Sequence, residues 1–162
     1  MNPLKDLTKP LYPLRVAAEL TNTSVYALRQ YVDLGLILPH RTINNRRLYS
    51  QVDIMRVRCI RKYIDDYGLN IAGVKAMFAQ VPCWLIKPCS MADRQNCDAY
   101  TAITEPCWNA DYKGVECQKE DCRTCSVYRL PETCTDPKSL MKHIKTLDLE
   151  TLKPAGGTGN KT

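Results

Sequence analysis

The sequence predicts a mainly α-helical protein with a small hairpin wing, followed by a cysteine-rich, loop-rich module and one short C-terminal helix. Three observations carry this. Helical hydrophobic spacing recurs through residues 11–81, a turn signal at Asn44-Asn45 separates two short extended runs, and eight of the nine cysteines lie between Cys83 and Cys134. The 162 residues suffice for one sizeable core but not two large ones. The expected organisation is a lead-in over 1–10, a basic helical unit over 11–81 and a cysteine module over 82–134. A helix over 135–152 and a Gly-rich, disordered tail over 153–162 complete it.

Pro13 suits a first helical turn, and Leu14, Ala17, Ala18 and Leu20 give that helix an apolar face. Thr21-Asn22-Thr23 is a polar turn in which Asn tolerates a left-handed backbone. Ser24 is an N-cap residue. Val25, Leu28 and Val32 keep helical spacing until Gly35 closes the helix at its C-cap, with Tyr31 packed inward. Two short helices around a tight turn make a helix-turn-helix. Leu36-Ile37-Leu38-Pro39 reads as the first arm of a hairpin and Arg46-Arg47-Leu48-Tyr49 as the second, with both arginines at the tip. Ser50 and Asp53 form a capping-box-like pair. From there Val57, Ile60, Ile64 and Tyr67 make one apolar stripe, and Gly68 ends it. Asn70 caps a last helix with Ile71, Val74 and Phe78 facing inward, while Cys59 reads as a core residue.

Charge divides with the chain. Residues 1–82 hold 12 Lys/Arg against 6 Asp/Glu, whereas residues 83–134 hold 6 against 8 and residues 135–162 hold 5 against 3. The positive excess of the first part points to a polyanion partner there. No run of about 18 apolar residues occurs, so no membrane span is expected. Met1 to Leu14 carries Lys5 and Lys9 and no continuous apolar stretch, so a secretory leader is not expected and the location expected is cytoplasmic, associated with the nucleoid.

Residues 12–79 resemble the winged-helix DNA-binding domain of the MerR family of transcription regulators. The resemblance rests on Tyr12-Pro-Leu-Arg-Val-Ala-Ala-Glu-Leu20, Ser24-Val-Tyr-Ala-Leu-Arg-Gln-Tyr31, Leu34-Gly-Leu-Ile-Leu-Pro39, Arg46-Arg-Leu-Tyr-Ser50 and Tyr67-Gly-Leu-Asn-Ile-Ala-Gly-Val74. Asn22 and Thr23 stand where a Gly-Val turn is common. The resemblance implies that the helix over 24–34 enters the major groove of double-stranded DNA, with Ser24, Tyr26 and Arg29 facing bases or phosphates. It implies that Arg15 sits near the DNA backbone at a helix start, and that Arg46, Arg47 and Tyr49 of the wing grip flanking phosphates. Arginine forks suit phosphate oxygens and guanine edges. It further implies a homodimer on a near-palindromic site, with RNA polymerase at the promoter as a further candidate partner. The long dimer helix usual in the family is missing here, because Pro82 and the first clustered cysteine follow Phe78 closely. The helix over 135–152, with Leu140, Ile144 and Leu147 on one face, is the available substitute.

In the cysteine module, Cys83-Trp84 and Cys107-Trp108 form a doubled pair, and Cys117-x4-Cys122-x2-Cys125 closes the series. Residues 83–128 resemble the small two-CW domain of anaerobe sensor and signalling proteins: Cys-Trp-x4-Cys, an isolated Cys, a second Cys-Trp, another Cys, then Cys-x2-Cys-x2-Tyr. Without an expected leader, metal ligation is preferred over disulfides. The candidate ligands are Cys83, Cys89, Cys97, Cys107, Cys117, Cys122 and Cys125, with Cys134 a free thiol or an extra ligand. Thiolates select zinc, iron–sulfur clusters or copper(I). The two histidines, His40 and His143, lie outside the cluster, which favours a Cys-only site. Trp84 and Trp108 could shield it.

The function expected is a transcription regulator whose module holds an iron–sulfur cluster, or zinc as the alternative cofactor, and senses redox state, oxygen, nitric oxide or metal. The rival reading is an architectural, excisionase-like DNA binder with a structural zinc staple. No nucleotide motif and no catalytic His–carboxylate group is evident, so an enzyme is not expected.

Overall fold

The computed structural model describes residues 7–130, together with 138, 141–142 and 145–146. A two-residue strand β1 (Tyr12–Pro13) leads into helix α1 (Leu14–Leu20). At the turn that follows, Asn22 takes a left-handed backbone with φ of 47°, a conformation that Asn tolerates better than most residues with a side chain. Helix α2 (Val25–Asp33) starts where Ser24 Oγ accepts the Ala27 N–H at 3.0 Å. It ends at Gly35, whose φ of 71° is the left-handed C-cap conformation.

The wing is shorter and later than the hydrophobic run suggests. Strands β2 (His40–Arg41) and β3 (Arg47–Tyr49) pair antiparallel, with His40 opposite Leu48 and Arg41 opposite Arg47. Leu36 and Ile37 are not strand residues; both are buried in the core, because anchoring the wing to the helices satisfies them better than pairing at an exposed edge. β1 adds to the other side of β3, giving the order β1-β3-β2. That third strand is absent from the sequence reading, since two residues carry no alternation to read.

Helix α3 (Gln51–Asp65) opens on a full capping box: Ser50 Oγ accepts the Asp53 N–H at 3.2 Å, and Asp53 Oδ2 accepts the Ser50 N–H at 2.8 Å. Its buried face comprises Val52, Ile54, Val57, Cys59, Ile60 and Tyr63, whereas Tyr67 lies past its end and is exposed. Cys59 is buried and disulfide-bonded, which removes it from the pool of free thiols. Helix α4 (Ile71–Ala79), capped by Asn70, buries Val74 and Phe78.

The module beyond Pro82 is built of single turns: α5 (Cys83–Ile86), α6 (Met91–Gln95), α7 (Asp98–Thr101), α8 (Val115–Gln118) and α9 (Ser126–Arg129), with 3-10 turns at Cys107–Asn109 and Cys122–Thr124. It has no separate hydrophobic centre of comparable size. Trp108 and Tyr128 join the same buried cluster as Leu28, Leu36, Ile60 and Phe78, and Cys107 and Cys122 pack against it. The helix expected over 135–152 lies largely outside the described residues, although 138, 141–142 and 145–146 are helical. Cys134 and the tail lie outside them altogether. Among the described residues no helix is long and apolar enough to cross a membrane.

Candidate nucleic-acid interface and thiol-lined cavity

The side chains expected to meet DNA divide into three kinds. Arg15, Tyr26, Arg29 and Arg46 are exposed, and Tyr26 is 77% accessible on the outer face of α2. Ser24 is exposed too, but its Oγ is already engaged as the cap. Arg47 is half-buried and its Nη2 lies 3.1 Å from Asp33 Oδ1, which ties the wing to the end of α2. Arg41, beside it on the wing, is exposed and donates to Asn45 Oδ1 at 2.8 Å. The sequence reading missed Arg41, although it stands one turn from Arg46 and Arg47.

Tyr49 is a correction. It is 0% exposed and its hydroxyl is buried without a hydrogen-bond partner; burial pushes that phenol's pKa up. The period of two puts the Tyr49 ring on the inner face of β3, so it packs the core and does not reach a phosphate.

The seven predicted ligands do converge. Cys83, Cys89, Cys97, Cys107, Cys117, Cys122 and Cys125 are all free and half-buried, and all line one cavity. The cavity is partly open to solvent and has a volume of about 50 Å³. Four donors about 2.3 Å from one point are what a structural zinc needs. Among the described residues no three His, Cys, Asp or Glu side chains are drawn together closely enough to hold a single ion. The thiols instead ring a wider space.

Charge around the cavity is mixed, with Asp93, Glu116 and Glu120 set against three basic side chains. Lys87, Arg94 and Lys113 line it, and Lys113 Nζ reaches Cys122 Sγ at 3.4 Å and the Trp108 carbonyl at 2.9 Å. Lys87 pairs with Glu120 at 2.6 Å. The two cysteines of the Cys-Trp pairs are hydrogen-bonded to each other. That bond lowers the Cys83 thiol to about 7 and pushes the Cys107 thiol up. Burial raises Cys117. Trp84 stacks edge-on against Tyr100 at 4.9 Å between ring centres, and both line the same space.

Behind the cavity stands a group that the sequence reading missed. Arg56 of α3 is 0% exposed. Its guanidinium lies 4.5 Å from the Phe78 ring centre, 4.3 Å from that of Trp108 and 4.2 Å from that of Tyr128. Nε donates to the Leu36 carbonyl and Nη1 to the Tyr128 carbonyl, both at 2.6 Å, while Nη2 is buried without a partner. Desolvation lowers its pKa. A signal was present: Arg56 stands four residues after Val52 and four before Ile60, on the apolar stripe of its helix. Asp53, one turn earlier, accepts from the Tyr128 hydroxyl at 2.9 Å, and burial raises its carboxyl pKa.

Comparison with known proteins bears on the first half of the chain. Residues 12–81 match the family described as MerR HTH family regulatory protein. A stretch of 66 residues is 42% identical to a putative heat shock protein HspR of Streptomyces coelicolor, covering 41% of this chain and 44% of that protein. Over 66 residues the chain is 39% identical to the HTH-type transcriptional regulator GlnR of Bacillus anthracis and of Bacillus cereus, covering 41% of this chain and 50% of each. The matched stretch thus spans about half the length of these relatives.

Proposed function

We propose, from the premise that residues 12–81 are a helix-turn-helix domain of the MerR family, that this protein is a DNA-binding transcription regulator with a thiol-bound inorganic sensor. The GlnR relatives are named HTH-type transcriptional regulators, which supports the first part. Helix α2 presents Tyr26 and Arg29 to the major groove, while Arg15 and the wing residues Arg41 and Arg46 meet phosphates on either side. Arg47, held by Asp33, fixes the wing's angle. The protein acts as a homodimer on two half-sites, with RNA polymerase as the machinery it addresses.

The observation that carries the sensor is the convergence of seven free thiols, spaced over more than forty residues of sequence, on one cavity. Their distribution around the cavity, with no three of them among the described residues drawn to one point, favours a polynuclear iron–sulfur cluster over a single zinc. Cys83, Cys89, Cys97, Cys107, Cys117, Cys122 and Cys125 are the pool from which its ligands come. Bound there, such a cluster supplies reversible one-electron chemistry. The chain's own part is to hold it and limit water: Lys113, 3.4 Å from Cys122 Sγ, offsets thiolate charge, and Trp84 and Trp108 cover the apolar side.

The test is anaerobic purification followed by iron, sulfide and zinc analysis, a visible spectrum, and gel-shift assays in both redox states. Iron and sulfide in stoichiometric amounts with redox-dependent DNA binding are expected. Stoichiometric zinc without iron, and DNA binding blind to redox state, would replace the sensor with the excisionase-like binder carrying a zinc staple.

A further inference from the structure

Residues 35–40 join α2 to the wing, and four of the six, Gly35, Leu36, Leu38 and His40, are held by the cysteine module or by Arg56. The Gly35 carbonyl accepts the Trp108 Nε1–H at 2.7 Å and the Asn109 amide at 3.2 Å. The Leu36 carbonyl accepts Arg56 Nε at 2.6 Å. The Leu38 N–H donates to the Tyr128 hydroxyl at 2.8 Å, and His40 Nδ1 lies 3.0 Å from Arg123 Nη1. The four module residues that reach directly across are each tied in sequence to a cavity cysteine: Trp108 and Asn109 follow Cys107, Arg123 follows Cys122, and Tyr128 stands one helical turn after Cys125. Trp108 and Tyr128 also line the cavity on their other side.

From this arrangement we infer that the module clamps the helix-to-wing junction, so that the state of the seven-thiol cavity sets how firmly residues 35–40 are held and hence how helix and wing sit relative to one another on DNA. The inference rests on the reading of the cavity as a site that binds a soft metal group, and it names how that site is read out. The physical requirement for coupling is a contiguous set of contacts that both ends bias. Here the set is one residue thick. Moving Cys107, Cys122 or Cys125 moves the side chains that hold the junction, because each pair shares a single turn of backbone. Arg56 adds stiffness: two of the three rings around its cation come from the module, so withdrawal of either ring leaves a buried charge less well covered.

The experiment uses the full chain, prepared without air and stripped of metal, with cadmium ion as the thiol-seeking probe. Hydrogen exchange is followed with and without a saturating amount of cadmium. Loading is expected to change exchange across residues 35–40 by about five- to tenfold, the scale of one net hydrogen bond gained or lost, while Leu28 within α2 stays unchanged. The double variant Trp108→Phe, Tyr128→Phe keeps both rings and removes both polar links. It should take up the same amount of cadmium and show no response at the Leu38 amide, whose partner is the Tyr128 hydroxyl. Arg123→Ala, on the half-exposed side, should uncouple the His40 end without touching the core. Uptake with altered exchange in 83–125 but none in 35–40 overturns this inference alone, as does a response at Leu38 that survives in the double variant. Absence of cadmium uptake overturns the cavity reading and this inference with it.

Discussion

At the scale of single residues, burial separates two tyrosines that the sequence treats alike. Tyr26 stands open on α2 and Tyr49 is sealed beneath the wing with an unpartnered hydroxyl. Tyr49→Phe should therefore leave DNA affinity unchanged and leave stability equal or higher by up to about 1 kcal/mol, measured by urea unfolding and gel shift, because it removes a buried polar atom that makes no bond. Arg46→Ala should instead weaken DNA binding broadly across sequences and reduce the salt slope of binding by about one. Asp53 offers a test in pH. Burial raises its folded-state pKa above the ordinary value of 3.8, against the lowering effect of its hydrogen bonds. Its contribution is thus fully present below the unfolded pKa and fades as pH rises through the folded one. Asp53→Asn has no such dependence, so the stability of the variant relative to the native chain should improve between about pH 4 and about pH 7. A difference that falls over that range would show that the hydrogen bonds from Ser50 and Tyr128 outweigh burial.

At the scale of elements, the helices of the DNA-reading unit are set by their ends. Ser50→Ala breaks a reciprocal capping box and should cost about 1 kcal/mol by denaturant unfolding. Gly35 is constrained twice. Its φ of 71° disfavours any Cβ, and a Cβ there would run into the Asn109 side chain of the module. Gly35→Ala should cost more than about 1 kcal/mol and loosen the Asn109 and Trp108 contacts together. Gly68 has the same backbone sign, with φ of 68° and open space around it, so Gly68→Ala reports the backbone cost alone. The difference between the two variants measures the docking of the module on the end of α2.

At the scale of the molecule, the two halves share a core, and Arg56 is where they meet. Its guanidinium satisfies one carbonyl from each half and lies between Phe78 of α4 and two rings of the module. Arg56→Ala should lose about 3–5 kcal/mol, since it leaves two buried carbonyls unpaired and a void between three rings. The loss should appear in one cooperative transition rather than in the module alone. The pair Lys75–Glu105, at 2.6 Å across the same seam, is exposed and contributes far less.

The sequence alone determined the helix-turn-helix, its caps at Ser24, Ser50 and Asn70, the left-handed turns at Asn22 and Gly35, and the cysteines that meet in the cavity. These are decided by neighbours within a few residues or by side-chain chemistry that no packing changes. Only the tertiary structure decided the rest. It moved Leu36 and Ile37 from strand to core, turned Tyr49 inward, added the strand at Tyr12–Pro13, and brought Trp108, Arg123 and Tyr128 onto residues 35–40. Those outcomes depend on contacts across about 10 to 90 residues of chain, where apolar burial and pairing of buried polar groups compete, and local propensity does not register the winner.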